Sequence, residues 1–338
     1  MKKYPLIDVA KIYCAFLVVL MHTLEYPPGH YWAHLLQASL SFQAVPFFFI
    51  ASGFFFRKKW DASENKDKFA LDYVKRLLVY YALWVLITMP ENLYTYLTKY
   101  AGQSFIYVMA LMVRRIVFAG YGVYWYLLVT AEAAIVIHIL LKRNYEKLMY
   151  ALAVVGLLLG LAYYAKIDWL GLDVFHQVIY TIFSWSNNIL MMGLPFMAVG
   201  CYLAHHCERW TMNSMKLGFF YIAVFLVHAI IFAAAYSAGS NPGRYTILYP
   251  LQALLLFLIA ISADGVQIPD NMVRECRPLS SAIYCVHCFF IYYVIDPIIS
   301  VTANTFLRFS LAVLLSVCFY WIIKKSNCKP LIRLITLK

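Results

Sequence analysis

Residues 7–23 read IDVAKIYCAFLVVLMHT, and the placement of this run decides the fold. It is apolar enough to enter a bilayer, yet it carries Asp8, Lys11 and His22. As a helix at about 100° per residue, it puts Lys11 and His22 on one face, about 20° apart in projection and about 16 Å apart along the axis. Asp8 joins the same stripe, about one turn before Lys11. Ionisable side chains inside a membrane span are costly, and a row of three on one face points to a polar path through the protein. The plain alternative is that Lys11 snorkels to the inner headgroups, His22 sits at the outer interface and Asp8 serves the helix dipole.

Outward from this run the chain keeps the same character. It has 338 residues, 64% hydrophobic and 13% charged, with a mean hydropathy of +0.72. Apolar runs long enough to cross roughly 30 Å of hydrocarbon recur along its whole length, so an all-α integral membrane protein is predicted. Ten spans are expected, near residues 6–25, 39–56, 70–89, 121–141, 147–164, 186–205, 216–237, 246–264, 279–297 and 304–324. With the N-terminus inside, all but six of the 28 Lys and Arg fall on the cytoplasmic side. The six are Lys99, Arg114, Arg115, Lys166, Arg244 and Arg308, and the imbalance predicts an N-in, C-in arrangement. The net charge of +12 is therefore read as inner-loop charge and not as a nucleic-acid surface.

The first segment is followed by YPPGHYW, not by a small-residue cleavage site, and is expected to stay in the membrane. The longer connections, 26–38, 90–120 and 165–185, lie outside on this arrangement. Within them LYTYLTKYAGQSFIYVMALMVRRIVF and LGLDVFHQVIYTIFSW are expected as helices lying in the interface. Of eight cysteines, Cys14, Cys201, Cys285, Cys288 and Cys318 fall inside predicted spans, where they act as small apolar residues; no disulfide framework is implied. No repeat or linker stands out, so residues 1–338 read as one polytopic domain of a cell membrane.

The pattern D-x-x-K-x10-H of the first helix resembles the signature of the membrane acyltransferase-3 family. Five further stretches agree in order: VPFFFIASGFFF at 45–56, YVKRLLVYYALW at 73–84, YWYLL at 124–128, PFMAVGCYLA at 195–204 and LSSAIYCVH at 279–287. Two departures are visible. Lys11 stands where the family often has Arg, which keeps the charge and loses a bidentate fork, and Tyr124 replaces a histidine before the tryptophan.

The resemblance implies spans arranged around a central acyl-CoA channel. It also implies an O-acyltransferase that takes an acyl group, most simply acetyl, from cytoplasmic acyl-CoA to a hydroxyl of an extracytoplasmic glycan or lipid-linked sugar. On this basis His22 is the expected catalytic base, or a transient acyl carrier. Asp8 and Lys11 shape the inner mouth, and Arg57, Lys58, Lys75 and Arg76 hold the phosphates of CoA, unless they are ordinary positive-inside charge. Ser52, Gly53, Trp125, Tyr284 and His287 are expected along the channel or at the acceptor, although small residues such as Ser52 and Gly53 equally serve close helix packing. Glu132 lies mid-span and is expected to pair with His22 or a basic residue and to act in catalysis.

His228 matches no motif and reads as a core histidine. Cys285, His287 and Cys288 form C-V-H-C, but a closed zinc site needs four ligands and no second pair stands out, so no metal is expected. Two competing functions come from other classes. One is a small-molecule transporter, since the membrane module of serine-racemase-type resistance proteins resembles this architecture. It is weighed against because the chain stops soon after the tenth span and shows no paired broken helices. The other is a scaffold of a glycan pathway, in which Lys11 and His22 would tolerate alanine.

Overall fold

The computed structural model describes residues 4–23, 35, 39–165, 177–179, 181, 187–206, 213–238, 248–262, 268–299 and 305–337, and among these every regular element is helical. We number the helices α1 (Pro5–Thr23), α2 (Ala44–Ala62), α3 (Lys66–Lys99), α4 (Phe105–Arg114), α5 (Trp125–Lys142), α6 (Glu146–Ala165), α7 (Leu194–His206), α8 (Ser214–Ser237), α9 (Tyr249–Ser262), α10 (Asp270–Phe289), α11 (Thr305–Lys325) and α12 (Lys329–Thr336). Polar side chains start several of them. Asn65 accepts the Lys68 N–H at 2.9 Å, Ser104 accepts that of Tyr107 at 3.3 Å, and Asn213 accepts those of Met215 and Lys216.

Seven helical stretches among the described residues are long and apolar enough to cross a membrane. They coincide with seven of the ten predicted spans, the exceptions being the second, third and eighth. All three exceptions are helices that miss one requirement. Helix α2 ends in RKKWDA, α3 is a 34-residue helix that begins KDK and carries Pro90 inside it, and α9 has 14 described residues. Helix α3 continues past the predicted span end at residue 89, through Pro90 to Lys99; an interior proline is tolerated where neighbouring groups re-satisfy the backbone it frees.

The first expected interfacial stretch is divided by the structure, residues 93–99 closing α3 and residues 105–114 forming α4. After α4 comes a π-helical turn, Arg115–Ala119, and then Gly120 at φ +72°. A Cβ there would lie 2.3 Å from the Trp125 Cα, so the break before α5 needs glycine for both space and conformation. The other outer connections, 26–38 and 165–185, lie largely outside the described residues.

The sequence reads as one module, and the described helices group into two compact units, residues 1–51 with 206–338 and residues 52–205. In the first unit α1 packs on α10 and α11 around Ala15, Val19, Ile283, Ile291, Ile295 and Ala312. Alanine at two of these positions lets backbones approach, which matters where lipid removes the hydrophobic drive for helix association. On α8, Phe219 is 72% exposed and Ile230 66%, a surface suited to lipid and not to water.

In the second unit α3 packs on α5, and α6 packs on a π-helical turn, Ile189–Gly193, that leads into α7. A Cβ on Gly53 would fall 2.0 Å from the Met197 carbonyl oxygen. Close helix approach, one of the two uses open to a small residue there, is what Gly53 serves.

Candidate functional site

His22 lies in the last turn of α1 and His287 in the last turn of α10, and the packing of these two helices brings the rings to a centroid separation of 5.3 Å. Alternating contacts along the α1–α10 seam fix the pair: Ala15 and Val19 face Ile283, each one helical turn from the next. His287 is fully buried. Its Nδ1 lies 3.0 Å from the Ile283 carbonyl and 2.9 Å from that of Tyr284. Carbonyl oxygens only accept, so Nδ1 carries the hydrogen, and the lone pair of the neutral ring is on Nε2. Cys288 Sγ lies 3.3 Å from that Nε2.

The ligating atoms of His22, His287 and Cys288 all lie within 4.8 Å of one another, and such a group is able to hold a metal ion. The C-V-H-C run supplies two of the three donors, and the third comes from α1; Cys285 is buried and is not one of the three. Three donors are one short of a closed structural zinc site.

At the other end of α1, Lys11 Nζ donates to Asp8 Oδ1 at 2.8 Å. Both belong to the predicted polar stripe, and here they neutralise each other. The end of α1 next to His22 is held by a residue the sequence placed on the outer surface. Arg308 of α11 is 0% exposed; its Nη1 donates to the Thr23 carbonyl at 2.9 Å, and its Nε and Nη2 donate to Asp296 Oδ1 at 3.0 and 2.6 Å. The arginine thus ties a main-chain carbonyl of α1, one residue beyond His22, to the Asp296 carboxylate. The hint in the sequence was an Asp296 and an Arg308 that lie near the ends of the ninth and tenth predicted spans. His228, read as a core histidine, pairs with the Gln252 Oε1 at 3.1 Å, and Gln252 in turn donates to the Ser39 carbonyl.

The remaining expected site residues belong to the second unit. Arg57 is 6% exposed, its Nε donating to Asp61 and its Nη1 to Glu146 at 2.8 Å. Two carboxylates already compensate this guanidinium, which gives it a structural task that the sequence did not foresee. Lys58 Nζ lies 5.4 Å above the Phe54 ring, and Arg76 lies 5.6 Å from that of Tyr73, while Lys75 and Arg76 are exposed. Ser52 Oγ and Tyr126 OH are 2.8 Å apart. Trp125 and Glu132 are half-buried on α5. At the α2–α3 connection Asp67 accepts from Lys142 Nζ at 2.7 and 2.8 Å and meets His138 Nε2 at 3.0 Å. The Lys142 hydrogen bond holds the Asp67 carboxyl below the usual carboxylate range.

The acyltransferase-domain family model of the acyltransferase-3 type matches residues 4–325. Two curated relatives share 22% identity with the chain. An "Amino-acid racemase" of Enterococcus faecalis aligns over 263 residues, 74% of this chain and 35% of the relative. A "Serine/alanine racemase" of Enterococcus gallinarum aligns over 326 residues, 93% of this chain and 45% of the relative. The chain thus spans less than half the length of the curated relatives it matches. No solved structure matches it significantly. A family match over nearly the whole chain, together with helices fit to span a membrane repeatedly, means that the chain belongs to the membrane acyltransferase-3 family and carries its acyltransferase domain.

Proposed function

We propose that this acyltransferase domain moves an acyl group, most simply acetyl, from cytoplasmic acyl-CoA to a hydroxyl of an extracytoplasmic glycan or lipid-linked sugar. The observation that carries the reading is the approach of His22 and His287 to 5.3 Å on helices whose seam is otherwise apolar. Histidine is the side chain best suited to take a hydroxyl proton near neutral pH. His22 takes the proton of the acceptor hydroxyl as its oxygen attacks the acyl carbonyl, and Tyr284 and His287 shape the space around that hydroxyl.

Lys11, held by Asp8, sits about 16 Å along the axis from His22, a distance the extended arm of CoA can bridge. Charge alone nominates Lys58, Lys75 and Arg76 of the second unit for the phosphates of CoA, and polarity nominates Ser52, Trp125 and Glu132 for the acyl path. The relatives are bacterial proteins, and the cytoplasmic membrane of a bacterium is the proposed location.

The test is CoA release by the purified protein in nanodiscs, with and without glycan acceptors, for wild type, His22→Ala and Lys11→Ala. The expected result is turnover by wild type, its loss in His22→Ala, and a raised KM for acyl-CoA in Lys11→Ala. A second reading draws on the names of the two relatives and the 93% coverage of this chain by one of them: transport of a small amino acid such as serine. Serine uptake into proteoliposomes, with no thioester cleaved under any condition, would replace the first reading by the second.

A further inference from the structure

His22 suffices as a base for the acceptor, and the same cluster contains a thiol with a base of its own. Because the His287 Nδ1–H is engaged by two backbone carbonyls, its Nε2 is the acceptor and the Cys288 thiol 3.3 Å away is the donor. Nucleophile, base and a group that orients the base are then aligned, as in cysteine–histidine catalysis. The base is fully buried and fixed in one tautomer, whereas the sulfur is partly exposed and so open to a substrate. His22 completes the cluster, with its nitrogen within 4.8 Å of both. Two residues after Cys288, α10 changes to a π-helical turn at Phe290–Ile295, an irregularity that frequently accompanies functional positions.

We infer that Cys288 is a catalytic nucleophile that carries the acyl group as a thioester between donor and acceptor, with His287 as its base. The inference rests on the acyl-CoA reading above and adds a covalent step to it. In the first half, the Cys288 S–H proton passes to His287 Nε2 and Sγ attacks the carbonyl carbon of acyl-CoA. The bond from that carbon to the CoA sulfur breaks, and the departing thiolate takes the proton from His287. In the second half, His22 removes the acceptor hydroxyl proton, the oxygen attacks the acyl carbon, the bond to Sγ breaks, and the Cys288 thiolate recovers the proton. No atom changes oxidation state. A small acyl group travels while CoA stays on its own side.

The experiment uses full-length protein in nanodiscs with radiolabelled acetyl-CoA and no acceptor, followed by peptide mapping by mass spectrometry. In His22→Ala the acyl-enzyme accumulates: one acetyl on the Cys288 peptide, removed by neutral hydroxylamine. In Cys288→Ala no label is retained, and His287→Gln loses about 10²-fold or more in the rate of labelling. Label found on His22 in the wild type, or Cys288→Ala turning over at the wild-type rate, overturns the inference and leaves the acyltransferase reading intact.

If no acetyl-CoA is cleaved at all, the acyltransferase reading fails, and the dyad is judged by a donor-free measurement. Site-resolved alkylation of Cys288 by iodoacetamide should be about 10-fold faster near neutral pH in wild type than in His287→Gln. Equal rates, or a stoichiometric zinc ion that shields the thiol until a chelator is added, refute it.

Discussion

Two kinds of polar cluster behave in opposite ways. Around Arg57, and again around Asp67, every charge meets its complement: guanidinium to two carboxylates, carboxylate to lysine and histidine. Such arrangements tie helix ends together and spend their hydrogen bonds doing so. The cluster of His22, His287 and Cys288 is instead two imidazoles and a thiol whose donor atoms converge within 4.8 Å. A closed network holds structure, whereas convergent donor atoms leave bonding capacity for something that arrives. The difference separates polar groups that are explained by folding from polar groups that are not.

Exchanging damage between the clusters tests the contrast most strongly. His22→Ala is expected to cut turnover by about 10²–10⁴-fold with the melting temperature unchanged, while Arg57→Met lowers the melting temperature and leaves the KM for acyl-CoA within about twofold of wild type. A raised KM in Arg57→Met would mean that the arginine serves substrate after all.

Arg308→Leu comes next. It removes the donor from the Thr23 carbonyl and strands Asp296, whose side chain is only 17% exposed, so a loss of about 3–5 kcal/mol is expected in reversible denaturation in detergent. Arg308→Lys, which keeps the charge and loses the planar fork, should recover part of it; full stability in Arg308→Leu would show that α1 is held by its apolar seam alone.

The smallest effect belongs to Asp67. Its carboxyl is depressed by Lys142, so the stabilisation is present above the unfolded value of about 3.9 and is lost as pH falls through the lower folded value. The difference in melting temperature between wild type and Asp67→Asn should be small, constant above about pH 5, and vanish on acidification; a difference that grows toward acid would reverse the assignment.

Much of the helical layout was legible because a bilayer imposes one length on every element, and hydropathy reports that length directly. It failed where other forces set the helix. Helix α3 runs on past Pro90, and α2 ends in the charged stretch RKKWDA. At the site, helical periodicity placed Lys11 and His22 on one face. Periodicity within one helix says nothing about what another brings to it: Cys288 of the C-V-H-C run read as an apolar helix residue, and its approach to His22 comes with the α1–α10 packing. The task of Arg308 was hidden for a related reason: charge counting assigns a side, and says nothing of the carboxylate and the carbonyl that other segments bring to the guanidinium.

The π-helical turn after Cys288 acts as a phase shifter. The Asp296 N–H reaches back five residues to Ile291 at 2.9 Å, so the segment holds one residue more than an ordinary helix would. With ordinary α-helical winding the same sequence would turn everything beyond this segment by about 100°. Asp296 would then point away from Arg308, while His287 and Cys288 would keep their places. The extra residue lets one continuous helix present the His287–Cys288 pair and its anchoring carboxylate on faces that a uniform helix would not provide.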